Sequence, residues 1–86
     1  MSRDALVLLV EDQPAMRETL RRMLEDDVRV LEAKSAEEAL ERAQGLRIDI
    51  AVVDLVLPGE DGFALLAKMR KRPEQTDVIV ITGDAY

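Results

Sequence analysis

The chain has 86 residues, 48% of them hydrophobic and 35% charged, a balance that bounds it to one small globular domain with a thin core. Twelve basic and eighteen acidic side chains leave a net charge of −6, which argues against nucleic-acid binding through this segment and suits a basic partner or a divalent cation. Without Cys or His there is no disulfide, no thiolate or imidazole metal site, and no Ser–His or Cys–His catalysis.

The N-terminal apolar run, Leu6–Val10, is too short for a signal-peptide core or a membrane span, so the chain reads as cytoplasmic. Its near-continuous hydrophobicity predicts a strand covered on both faces. A helix follows, with Pro14 in its first turn and Met16, Leu20, Met23 and Leu24 on one stripe. Glu25-Asp26-Asp27 reads as its solvated end. Val28–Ala33 predicts a second strand. A second helix is expected next, with Ser35 as N-cap, capping-box spacing to Glu38, a stripe of Ala36, Ala39, Leu40 and Ala43, and Gly45 as its stop. Ile50–Asp54 predicts a third strand. The third helix places Phe63, Leu66, Ala67 and Arg70 on one side, with Leu65 and Met69 beside it and Pro73 past its end. Val78–Thr82 predicts a fourth strand, again apolar nearly throughout. The order β-α-β-α-β-α-β implies an α/β fold with a parallel sheet.

Chemistry concentrates at strand ends. Glu11 and Asp12 follow the first strand, Asp54 ends the third and Thr82 ends the fourth. Open parallel sheets bind ligands beyond the carboxyl ends of their strands. If strands one and three are neighbours, three carboxylates converge there. They repel one another, and a hard cation such as Mg²⁺ is the physical remedy. A carboxylate beside Mg²⁺ can attack phosphorus, and Asp54 is the better nucleophile candidate because the Glu11-Asp12 pair reads as the metal end. Taken singly, the signals are weak. Asp12 alone reads as a turn residue or cap, Asp61 as a cap for the third helix, and Thr82 as a β-branched strand residue. Pro58-Gly59 reads as an ordinary turn, and Lys34, Lys68 and Lys71 as solvated surface. The combination, in this order and spacing, carries the weight.

Those residues resemble the receiver domain of two-component response regulators. LVLLVEDQPAMRETLRRML is similar to the family's opening strand, acid pair and first helix, Arg17 included. AVVDLVLPGEDGFALL resembles its phosphoacceptor strand and following turn, and DVIVITGDAY its fourth strand. The resemblance implies a flavodoxin-like doubly wound sheet, with strands in the order 2-1-3-4. It implies that Asp54 accepts a phosphoryl group from a histidine kinase or phosphotransfer protein. Mg²⁺ would be held by Glu11, Asp12, Asp54 and the backbone carbonyl of Val56. Thr82 would be the switch hydroxyl, and Val56 and Asp84 the positions that tune phosphoryl lifetime.

The family's fold has five strands and five helices, so residues 1–86 are expected to be a receiver domain lacking its last two helices and last strand. The family's Lys at the end of that strand has no counterpart by position, which predicts slower phosphorylation. The Val78–Thr82 edge is expected to pair in a homodimer or swapped oligomer. The leading reading is a phosphoacceptor module rather than a turnover enzyme. Its rival is a phosphorylation-incompetent fragment acting by self-association. A haloacid-dehalogenase-type hydrolase is disfavoured, because that class places a second Asp where this chain has Val56.

Overall fold

The structure, a computed structural model, describes residues 4–54, 62–72 and 76–81. Strands β1 (Leu6–Val10), β2 (Arg29–Ala33), β3 (Ile50–Asp54) and β4 (Asp77–Ile81) alternate with helices α1 (Pro14–Leu24), α2 (Ala36–Ala43) and α3 (Gly62–Arg70). All strand pairs are parallel, and the sheet order is β2-β1-β3-β4. This is the expected α/β arrangement, with its strand order 2-1-3-4. Thr82, expected to end the fourth strand, lies outside the described residues, as do Val56, Asp84, Pro58, Gly59, Asp61 and Pro73.

The local signals act as their chemistry dictates. Pro14 opens α1, where its missing N–H costs no helical bond. Ser35 caps α2 by accepting from the Glu38 N–H at 3.1 Å. The Glu38 carboxylate reaches back to the N–H of Lys34 at 3.1 Å, one residue earlier than a reciprocal capping box. Gly45 ends α2 with φ +74°, a left-handed conformation that a Cβ would strain.

Side chains alternate between the two faces of the sheet with the two-residue strand period. One face packs Leu8, Val10, Ala51 and Val53 against the α2 alanines and against Leu65 and Met69 of α3. The other packs Val7, Leu9 and Val52 under Leu20 and Leu24 of α1. β1 is central and buried along its whole length, as its unbroken apolar run predicts.

The apolar run of β4, like that of β1, fits a strand covered on both faces, but among the described residues β4 is a partly exposed edge: Ile79 is 52% and Val80 43% exposed. β4 has β3 on one side and, among the described residues, no strand on the other. In α3, the buried side is Gly62, Leu65 and Met69, while Phe63 is 66% exposed and Ala67 and Arg70 face outward. The sheet lies under the Leu65 flank; of the expected stripe, Leu66 is half-buried against the core while Phe63 turns away from it. The α1 stripe is split, with Leu20 and Leu24 half-buried while Met16 and Met23 are exposed.

Candidate functional site

Parallel pairing brings every strand's carboxyl end to one edge of the sheet. Val10 of β1 is in register with Val53 of β3 and with Ala33 of β2. Continuing that register by one residue sets Glu11 beside Asp54. The Glu11 N–H still donates to the Ala33 carbonyl at 3.0 Å, so the ladder holds the backbone of the first acidic position. Asp12 follows in the turn into α1, half-buried.

The expected convergence occurs. Glu11, Asp12 and Asp54 each offer a carboxylate oxygen, and these oxygens all lie within 4.8 Å of one another. Glu11 is 4% and Asp54 8% exposed, which is unusual for acids in so small a domain. Val56 and Thr82, expected at the same site, lie outside the described residues.

Burial pushes the Glu11 carboxyl up to about 7. The N–H of Gln13, which donates to Glu11 Oε2 at 3.1 Å, opposes that rise. The carboxyls of Asp12 and Asp54 reinforce it, Asp54 both by hydrogen bonding and by its charge. Without a cation, the cluster therefore lowers its repulsion by keeping a proton on Glu11 near neutral pH. The donor set is all oxygen and compact. It suits a hard divalent cation, which can replace that proton as the neutralising charge.

Residue-by-residue reading of the sequence did not single out Arg17, which entered only as part of the family resemblance. It lies on the first turns of α1, and its Nη1 donates to the Glu11 carbonyl at 2.9 Å. The signal available in the sequence is a cation one helical turn into the element that follows an acid pair. That spacing is common on solvated helices and does not by itself point to the loop. Lys34, Lys68 and Lys71 are exposed, as expected. Among the described residues no helix is long and apolar enough to cross a membrane.

Residues 7–86 match the family model of the response regulator receiver domain. The chain is 40% identical over 81 residues to the positive alginate biosynthesis regulatory protein of Pseudomonas aeruginosa, a match covering 90% of this chain and 33% of that protein. The chain spans only part of its curated relatives' length, 17% of one and 62% of another. The response regulator TrrA of Thermotoga maritima, solved in complex with Mg²⁺ and BeF, superposes with a TM-score of 0.86 at 28% identity, over 95% of this chain and 72% of that one. A second match, from a complex of the histidine kinase ThkA with TrrA, has a TM-score of 0.85 at 27% identity, over 96% and 72% of the two chains. The order of elements, the acidic edge and the match over residues 7–86 together establish that the chain belongs to the response regulator receiver domain family.

Proposed function

We propose that this chain is a phosphoacceptor module of two-component signalling in which the Asp54 carboxylate takes a phosphoryl group from a phosphohistidine donor on a kinase or phosphotransfer protein. The carrying observation is the meeting of Glu11, Asp12 and Asp54 within 4.8 Å at the carboxyl edge of the sheet. Asp54 ends a central strand and is held rigidly in the ladder, as an attacking group needs to be. Its oxygen forms the new P–O bond as the donor's P–N bond breaks, leaving an aspartyl phosphate.

Glu11, Asp12 and Asp54 would hold Mg²⁺, which neutralises phosphoryl charge when bound. The raised proton affinity of Glu11 supports this assignment, because it marks a cluster with more negative charge than its surroundings accommodate. The family resemblance adds the Val56 carbonyl as a further ligand and Thr82 as the hydroxyl that contacts the phosphoryl group. The kinase assignment is supported by the similarity to TrrA, which is seen in complex with a histidine kinase.

Intact mass after incubation with Mg²⁺ and a small acyl phosphate tests the reading. A phosphoryl adduct is expected, and Asp54→Asn should lose it. A folded chain that takes no adduct, or an adduct that survives Asp54→Asn, refutes the assignment.

Self-association through β4 is part of the same proposal. Ile79 and Val80 leave apolar surface exposed on β4, which among the described residues has a strand on one side only, and edges of this kind recruit a strand from another chain. Light scattering should show a dimer or swapped oligomer that Val80→Lys disperses. A monomer at every concentration removes this element and leaves the phosphoacceptor assignment intact.

A further inference from the structure

A carboxylate pair can act as cation ligands only if the backbone carrying it leaves the sheet in a fixed direction. At Glu11 both backbone polar groups are committed. The N–H donates to Ala33 of β2, and the carbonyl accepts from Arg17 Nη1 of α1 at 2.9 Å. The same guanidinium places its Nε 3.5 Å from Glu32 Oε1 on β2. The backbone N–H of Arg17 meanwhile donates to the Gln13 carbonyl at 2.9 Å, fixing the first turn of α1. One planar cation thus ties together the exit from β1, the start of α1 and the neighbouring strand.

We propose that Arg17 is a positioning residue for the acidic site. By clamping the Glu11 carbonyl against the Glu32 anchor, it sets the direction in which Glu11 and Asp12 leave β1, and so sets the affinity of the site for a divalent cation. This inference rests on the cation-assisted phosphoacceptor reading.

The other α1 arginines show why the role falls to Arg17. Arg21 pairs with Glu18 and Glu25 on its own helix and, at 3.7 Å, with Glu32. Arg22 pairs with Glu18 at 3.0 Å. Those contacts brace α1 and its packing against β2. The Arg17 contact reaches the residue that carries a candidate ligand. The rigid fork of a guanidinium can serve two acceptors at once, while an ammonium is a compact point charge on a flexible stem. Supporting groups of this kind are typically worth about 10–100-fold in metal affinity.

The test is calorimetric titration of the full chain with Mg²⁺, paired with phosphorylation rates over a range of Mg²⁺ concentration. Each variant is first shown to be folded by circular dichroism. Arg17→Ala should weaken Mg²⁺ binding by about tenfold or more. It should raise half-saturating Mg²⁺ in the rate measurement while the plateau rate recovers at high Mg²⁺. A residue that merely braced the fold would change melting without shifting that half-saturation. Arg17→Lys should recover only part of the affinity, and Glu32→Gln should give a smaller loss than Arg17→Ala. Arg22→Ala should bind as wild type.

Wild-type affinity in folded Arg17→Ala overturns the inference and leaves the phosphoacceptor reading standing. Should Arg17→Ala fail to fold, wild-type affinity in both Arg17→Lys and Glu32→Gln overturns it equally. If the wild-type chain itself binds no Mg²⁺, both readings fall together.

Discussion

The two faces of this sheet are built from similar strands and covered very differently. On one, α2 lays Ala36, Ala39 and Ala43 directly on the sheet, α3 adds Leu65 and Met69, and Leu8, Val10, Ala51 and Val53 beneath them are fully buried. On the other, α1 lies alone among the described helices. It buries none of its residues fully, and beside it runs a groove of about 480 Å³ lined by Val7, Leu24, Val28, Ile50, Val52 and Ile79, with Asp27 at its rim. The first face is closed by small side chains that permit close approach. The second relies on Leu20 and Leu24, which are only half-buried, while Met16 and Met23 stay exposed. Burial, and hence stability, is therefore concentrated on the α2/α3 face, while the acidic site sits at the edge that both faces share.

The largest test of that contrast is a pair of truncations. Leu65→Ala should cost about 2–5 kcal/mol in chemical denaturation, because its fully buried side chain leaves a cavity. Leu24→Ala on the open face should cost only about 1–2 kcal/mol. Equal losses would mean that the two faces are equally well packed.

The shared edge gives the next effect, through pH. The Glu11 carboxyl moves from 4.5 to about 7 on folding, so the folded state binds the proton more tightly. The stabilisation this supplies is complete below pH 4.5 and is lost as pH rises through about 7. Denaturation measured across that range should show falling stability, Glu11→Gln should flatten the profile, and Mg²⁺ should offset the loss at the alkaline end. An unchanged slope in Glu11→Gln would assign the effect to other groups.

Two smaller effects complete the comparison. Ser35→Ala removes the cap of α2 and should cost about 1 kcal/mol. Met23→Gln, on the exposed side of α1, should change stability by less than about 0.5 kcal/mol. A larger loss from Met23→Gln would show that the open face is covered in solution, and light scattering on the same variant would show whether a second chain covers it.

Much of this molecule was legible before any tertiary contact was known. The strand runs, Pro14, Ser35 and Gly45 act through their own φ, N–H or side-chain oxygen, so their signals lie within a few residues of where they operate. The acids after β1 and at the end of β3 were legible as residue types at strand ends. Their neighbourhood followed from the strand order that the family resemblance implied. The face of α3 that turns inward was not legible, because Phe63-Leu66 and Leu65-Met69 both form apolar helical stripes and only the position of the sheet chooses between them. The half-cover of β4 was not legible in its apolar run, which reads alike in a central strand and at an edge, and the expectation of an edge there came from the family resemblance instead. The rise of the Glu11 carboxyl to about 7 and the Arg17 clamp on its carbonyl belong wholly to the tertiary structure. Both depend on burial and distance between elements, whereas the sequence by itself determined the elements, their order and the acids poised at their ends.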